Sequence, residues 1–172
     1  MKSIEAQLTG GHPNSLGNTI EVVDRILAKP ELFDELFHCY FSTDAVVRLR
    51  VSNAMKRIAK ANLNLLLPYL DQFLEDISKI DQASTQWTLA QLFLVLENHM
   101  TETQKVKATG IMQHNLANHD DWIVLNQTMD TLGRWAKNDQ QLGKWLQPHL
   151  ERLASDSRKS VAKKAGKLLD LM

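Results

Sequence analysis

Apolar residues recur at helical spacing along the chain, most clearly in the stretch 44–60, DAVVRLRVSNAMKRIAK. The spacing i, i+4, i+7, i+8, i+11 defines one buried stripe of a helix. Its apolar positions here are Val47, Val51, Ala54, Met55 and Ile58. We expect this helix to start at a cap formed by Ser42, Thr43 and Asp44, to end near Asn62, and to pack closely against a neighbour at the small Ala54.

Similar patterns predict helices on both sides of this stretch. Residues 1–15 contain Gly10, Gly11 and Pro13, which favour turns, so we expect a loose leader there. A short helix capped by Asn18 or Thr19 should have Ile20, Val23 and Leu27 on one side, and Pro30 should open the next one. The pattern restarts in LLLPYLDQFLEDI, which we interpret as one helix. Further helices are predicted over residues 85–98, 101–116, 121–137, 139–153 and 157–171.

The helical pattern repeats. Met55 matches Phe93, Leu132 and Ala165 at spacings of 38, 39 and 33 residues. The residues four positions before these also align, namely Val51, Leu89, Thr128 and Val161. So do the residues three positions after them, namely Ile58, Leu96, Trp135 and Leu168. Periods of this size built from paired helices are typical of a helical solenoid. We therefore predict one domain, 1–172, with repeat units of approximately 30–60, 63–98, 101–137 and 139–171 after an N-terminal leader and capping helix, 1–29.

The tract D-x-x-V-R-x-x-V-x-x-A-M from Asp44 to Met55 resembles the second helix of a HEAT repeat, and L-P-Y-L at 67–70 resembles the first. The resemblance extends over about residues 30–171, with an armadillo-like array as a looser alternative. It implies an all-α fold: a right-handed α–α superhelix of about four helix pairs plus N-terminal helices. The second helices of such a solenoid line its concave face.

Residues opposite the buried stripe of each second helix are the candidate binding ridge. In the first unit these are Leu49, Asn53, Lys56 and Lys60, and in the second they are Trp87, Gln91, Leu94 and Asn98. The third unit contributes Asn126, Asp130, Gly133 and Lys137, and the fourth contributes Lys159, Lys163, Gly166 and Asp170. Trp87 is either an exposed interface anchor or part of the core. Trp135, aligned with Ile58, should be core, and we expect Trp122 and Trp145 to pack under loops.

The composition of the chain and its lack of known motifs argue against several classes of function. Twenty basic residues balance twenty acidic ones, so no overall field draws the protein to nucleic acid or to an anionic membrane. The sequence contains no apolar run of membrane-spanning length and no signal-like apolar core. One cysteine, Cys39, suits a reducing cytoplasm. No cofactor motif, catalytic motif or metal-ligand spacing is present, so we expect no metal or cofactor.

Two basic tracts remain: Arg48, Arg50, Lys56, Arg57 and Lys60, and then Arg158, Lys159, Lys163, Lys164 and Lys167. They are either solvated faces or phosphate contacts. The sequence favours a cytoplasmic, non-catalytic HEAT-like scaffold that binds a protein or peptide on its concave face. The alternatives are a nucleic-acid-binding protein resembling the HEAT-like DNA alkylation-repair glycosylases, and an accessory HEAT-repeat lyase or chaperone-like protein. The partner and the oligomeric state stay open.

Overall fold

A computed structural model of the chain describes residues 1–172, and all of its regular structure is helical. The α-helices are α1 Ile4–Leu8, α2 Thr19–Ala28, α3 Phe33–His38, α4 Ala45–Ala61, α5 Leu70–Glu75, α6 Ala83–Leu96, α7 Glu102–Asn118, α8 Trp122–Ala136, α9 Gln140–Ala154 and α10 Lys159–Asp170. Short 3₁₀ turns cover Pro30–Leu32, Cys39–Phe41, Leu63–Leu65, Leu67–Tyr69, Ile77–Lys79 and Glu97–His99. The chain forms two compact units, Met1–Thr88 and Leu89–Met172.

Side-chain caps begin four of the long helices where the sequence predicts them. Asp44 Oδ1 accepts the N–H of Val46 at 2.8 Å, and Asp139 Oδ1 accepts that of Leu142 at 3.0 Å. Asp121 caps α8 by accepting the N–H groups of Ile123 and Val124. Thr101 and Gln104 form the reciprocal capping box at the start of α7. These contacts satisfy backbone N–H groups that have no partner within the helix.

The buried stripe of each second helix agrees with the predicted register. The five stripe positions of α4 are all completely buried. Among the repeat-matched positions only Leu168 is half-buried, and the others are buried: Met55, Phe93, Leu132, Ala165, Val51, Leu89, Thr128, Val161, Ile58, Leu96 and Trp135. The core prediction for Trp135 is confirmed. One helical face therefore recurs at the predicted spacings.

In the first unit α4 packs against α1 and α2. Of the three apolar residues that the sequence places on one side of α2, only Val23 is buried. Val22, Val23 and Ile26 are buried, whereas Ile20 is 39 % exposed and Leu27 is half-buried. Thr19, the first residue of α2, lies on the buried face of the helix and donates its hydroxyl to Leu16 O.

The N-terminal segment is not a loose leader. Ile4 and Leu8 are completely buried, and the Ile4 N–H donates to Glu35 Oε1 at 2.7 Å. Arg50, expected in a basic surface tract, is 1 % exposed. Its guanidinium donates to four backbone carbonyls of the segment: Leu8 and Gly10 at 2.6 Å, His12 and Ser15 at 3.2 Å. The segment is ordered because it solvates a buried cation.

The run predicted as one helix from Leu65 to Ile77 is broken into turns around the short α5. Pro68 lies in the turn Leu67–Tyr69, since proline lacks an N–H and restricts the residue before it. An aromatic cluster still anchors this region: Phe37 lies 4.7 Å from Tyr69 and 5.2 Å from Phe73 between ring centroids. The Tyr69 hydroxyl also donates to Asp34 Oδ1 at 2.9 Å.

In the second unit α8 packs against α7, α9 and α10, and α9 packs against α10. Polar contacts fix the helices at specific points. Thr131 Oγ1 donates to the carbonyl of Ala90 at 2.7 Å, and Arg152 donates to that of Leu116 at 3.1 Å. These two hydrogen bonds, together with apolar packing, thus fix the positions of α8 and α9.

Candidate functional site

The predicted ridge residues differ in accessibility. Exposed are Lys60, Asn98, Lys137, Lys159 and Lys163; half-buried are Asn53, Lys56, Trp87, Gln91 and Asp130; and Asn126 is buried, with 8 % of its surface exposed. Asn126 is therefore a poor candidate for contact with a partner. Its Nδ2 lies 3.4 Å from Ser160 Oγ, a long contact that joins α8 to α10.

The ridge of α4 is polar and partly occupied by its own contacts. Arg57 Nε donates to Asn53 Oδ1 at 2.7 Å, one turn away. Burial, and then the charge of Arg57, lower the pKa of Lys56. Arg48 is also engaged, donating to Gln82 Oε1 at 2.7 Å and to the carbonyl of Ser42 at 2.6 Å. With Arg50 buried, Lys60 is the exposed ammonium of this tract.

The accessible face of α6 is chemically different. Helix α6 contains no charged residue along its whole length. Its accessible side is formed by Trp87, Gln91 and Leu94, all half-buried, and by Val95, which is 50 % exposed. We call these four residues the α6 face; they lie at i, i+4, i+7 and i+8 on one side of the helix. Gln91 Oε1 is buried without a hydrogen-bond partner.

Trp87 thus lies between the two alternatives that the sequence left open. It is neither fully buried nor fully exposed, although the residues on either side of it, Gln86 and Thr88, are buried. A half-buried tryptophan has its orientation fixed by the protein and keeps apolar surface for a partner. Val95 is the member of the α6 face that the ridge prediction missed, although its position eight residues after Trp87 would have revealed it.

Charged residues on α8 and α10, and in the segments just before them, pair with each other. Lys164 Nζ donates to both carboxylate oxygens of Asp130 at 2.7 Å. Arg158 donates to Asp156 through Nε at 2.9 Å and also pairs with Asp120. A row of exposed lysines remains on α10, formed by Lys159, Lys163 and Lys167 at intervals of four residues. The second basic tract is therefore partly paired and partly open to solvent.

The sequence predicts that Trp122 and Trp145 pack under loops. Trp122 is 50 % exposed at the start of α8, so its predicted position under a loop is wrong. Trp145 is half-buried and stacks on His149, with 4.2 Å between ring centroids. Trp135 packs under Lys105, whose Nζ lies 5.0 Å from the ring centroid and pairs with Glu97 at 2.7 Å.

No group of three His, Cys, Asp or Glu side chains converges in a geometry that would hold a metal ion. None of the helices combines the length and hydropathy that crossing a membrane requires. Comparison of the chain with protein-family models, with curated proteins and with solved structures returned no match. The fold and its surfaces therefore carry the functional argument, and they define an all-α protein with one uncharged, partly apolar helix face.

Proposed function

We propose that this protein is a non-catalytic, HEAT-like helical scaffold that binds a segment of another protein on the α6 face. The observation that carries the proposal is the α6 face itself: a half-buried tryptophan beside exposed aliphatic surface on a helix without charges. Tryptophan is enriched among the residues that dominate protein–protein binding energies. The recurrence of one buried face at spacings of 38, 39 and 33 residues supports the solenoid part of the proposal.

The chemistry of the α6 face favours a protein segment over phosphate. A phosphate backbone is held by ammonium and guanidinium groups, and the α6 face contains none. Aliphatic surface at Leu94 and Val95 matches apolar side chains of a partner. Gln91 Oε1, which has no partner within the chain, suits a backbone N–H after a rotation of its terminal torsion. The expected ligand is an uncharged, apolar peptide segment.

The cytoplasm is the location that we propose for this function. Cys39 is a buried free thiol whose Sγ donates to the carbonyl of Glu35 at 3.2 Å. Burial, and then the carboxylates of Glu5 and Glu35, raise the pKa of Cys39 to about 12. A thiol held in its neutral form in this way acts as a small core residue and suits a reducing compartment.

Selection of peptides from a random display library on the immobilised protein tests the proposal. We expect uncharged sequences rich in aromatic and aliphatic residues. Trp87→Ala should weaken their binding by about 2 kcal/mol, roughly thirtyfold, with little dependence on salt. Trp122→Ala is the matched control, because Trp122 is an exposed tryptophan outside the α6 face. Equal losses in the two variants, or selected peptides dominated by charge, would contradict the proposal.

A second candidate is contact with a nucleic-acid backbone through the exposed lysine row of α10. Lys159, Lys163 and Lys167 are spaced by one helical turn each, and none belongs to an ion pair in the structure. If this function is correct, replacing Lys159 and Lys163 with alanine should lower the slope of log affinity against log salt for a DNA duplex. The expected decrease is roughly 0.9 per lost phosphate contact, independent of sequence. An unchanged slope would exclude the row as a phosphate-binding surface.

A further inference from the structure

A groove in the second unit is separate from the α6 face and lies among α8, α9 and α10. Its volume is about 350 Å³, within the range of roughly 300–1,000 Å³ typical of ligand-binding clefts. The apolar part of its wall is formed by Ala136, Leu146, Leu150, Leu168, Leu171 and Met172. Leu171 and Met172 are 74 % and 56 % exposed, so this wall continues onto open surface.

The charged side chains that line the groove all have one sign. Lys137 and Lys144 are exposed lining residues, and no aspartate or glutamate is among the lining residues. The nearby carboxylate of Asp139 is already engaged, since it caps α9 by accepting the N–H of Leu142 at 3.0 Å. The carboxamides of Gln140 and Gln147 complete the polar part of the lining, and Gln147 Nε2 donates to the carboxylate of Glu151 at 3.1 Å. The groove is therefore apolar inside, with ammonium groups on its wall.

We propose that this groove binds an acidic amphipathic segment of a partner protein. Leucine-like side chains of the segment fill the apolar part, and its carboxylates lie beside Lys137 and Lys144. Apolar anchors at helical spacing with charges beside them are the usual form of a helix that binds in a groove. The opposite charges supply orientation and a faster encounter, and burial of the apolar wall supplies affinity.

A second copy of this chain is a less suitable occupant. A two-fold dimer presents the same patch on both subunits, so the lysines of one copy would face a patch carrying the same lysines on the other. Like charges in an interface oppose association. An acidic segment instead compensates both ammonium groups. The positive charge of the groove wall, together with its apolar area, therefore favours an acidic segment over a second copy of the chain.

The probe for this proposal is a synthetic amphipathic peptide of about 12 residues, with leucines at i, i+3, i+4 and i+7 and glutamates elsewhere. Binding is followed through the backbone amide signals of Gly133 and Gly143 in isotope-labelled protein, because both glycines line the groove. We expect saturable shifts of these signals. The same peptide with lysine in place of each glutamate should not bind. Equal binding of the two peptides would overturn the proposal.

The first variant pair tests the charges. Lys137→Glu combined with Lys144→Glu should weaken binding of the acidic peptide by at least about tenfold at low salt. The matched control is Lys29→Glu combined with Lys79→Glu, which makes the same change of net charge at exposed lysines that do not line the groove. The control should lose less than about twofold, as expected for long-range screening. Equal losses in the two pairs would contradict a groove-specific contact.

The second variant tests occupancy of the groove without disturbing the fold. A Cβ at Gly143 would meet only Met172 Cε at 3.7 Å and the carbonyl of Ala136 at 3.9 Å, both ordinary contacts. Gly143→Leu should therefore fold, with a thermal midpoint no lower than that of the unmodified protein, because leucine favours a helix more than glycine. It should weaken peptide binding at least about tenfold by filling the groove, whereas Gly143→Ala should have a small effect. Unchanged binding in Gly143→Leu would overturn the proposal.

Two further measurements distinguish this proposal from its alternatives. Trp87→Ala should leave binding of the acidic peptide unchanged, so failure of the groove and failure of the α6 face are observed separately. Sedimentation of the protein without peptide should show no self-association that the neutral variant Lys137→Gln with Lys144→Gln strengthens by removing the like charges. Such self-association would assign the groove to a second copy and overturn the peptide proposal.

Discussion

Arg50 and Gly17 lie so close together that no side chain fits at position 17. A Cβ atom on Gly17 would be 2.8 Å from Arg50 Cζ, and Gly17 has a φ of +50°. The guanidinium is buried and bonded to carbonyls of residues 8–15, so it has little freedom to move away. The N-terminal segment is therefore built around one cation, which restricts both its conformation and its side chains.

This contact predicts a difference between two glycines of the segment. Gly17→Ala should destabilise the protein by about 3 kcal/mol, because strain at positive φ adds to overlap with Arg50. Gly10→Ala should cost only about 1 kcal/mol, because Gly10 has a φ of +82° but nothing lies within 4 Å of its Cβ position. Urea unfolding of both variants measures the difference. Equal free energies of unfolding would mean that Arg50 moves freely.

The packed stripe of α4 leads to the next prediction. Ala54 is completely buried, so Ala54→Asp should destabilise the first unit by several kcal/mol through an unpaired buried charge. Ala45→Asp is the control: Ala45 is exposed in the first turn of the same helix, where a carboxylate is favourable. Thermal unfolding followed by circular dichroism compares them. A midpoint for Ala54→Asp within a degree or two of the unmodified protein would show that the position is not packed as described.

Two helical glycines should respond in opposite ways to alanine. Gly110 in α7 has nothing within 4 Å of the point that a Cβ would occupy, so Gly110→Ala should stabilise by about 0.5–1 kcal/mol through helix propensity. Gly133 in α8 is close to α10, and a Cβ there would lie 2.9 Å from Leu168 Cδ2. In Gly133→Ala, steric overlap with Leu168 should therefore offset the stabilisation that alanine gives through helix propensity. Chemical denaturation measures the free energy of unfolding of both variants. If Gly133→Ala raises it as much as Gly110→Ala does, Leu168 moves aside without a cost in stability.

A pH-dependent contact lies just before α10. Hydrogen bonds from the side chain and then the backbone N–H of Arg158 lower the pKa of Asp156 to about 2 from its ordinary 3.8. The folded state therefore binds fewer protons than the unfolded state between these values. The stabilising effect of Asp156 is complete above about pH 4 and is lost as the pH falls through about 2.

Titration of the Asp156 carboxyl carbon by NMR tests this contact. Arg158→Gln should raise the pKa of Asp156 toward its ordinary value, although the backbone N–H bond at 2.8 Å is retained. Lys163→Gln makes the same change of charge at an exposed residue of α10 that makes no hydrogen bond to Asp156, and it should leave the pKa of Asp156 nearly unchanged. Equal shifts in the two variants would assign the effect to general charge.

Helix boundaries could be predicted because their causes are local. Asp44, Thr101, Asp121 and Asp139 each cap a helix that begins at the next residue, so the signal lies within a few positions of the boundary. The buried stripes could be predicted for the same reason, since a helix repeats its face every three to four residues. Part of the α6 face followed from this register, namely Trp87, Gln91 and Leu94.

Contacts between distant segments could not be predicted in this way. The carbonyls that bind Arg50 are 35 to 42 residues away in the chain, so no local pattern shows that this arginine is buried while Arg57 is exposed. Similarly, Lys164 and Asp130 are separated by 34 residues, and their pairing removes charge from a tract that the sequence alone leaves open.

The sequence by itself therefore determined the helical class, the starts of the four helices with side-chain caps and the buried face of each second helix, because short-range capping and periodicity specify them. The tertiary structure decided which charges stay available and where an apolar groove remains. Leu146, Leu150 and Leu168 have the same helical periodicity as core residues, and only the packing of α8, α9 and α10 leaves space beside them. A side chain's accessibility depends on its neighbours in space, and most of those neighbours are distant in sequence.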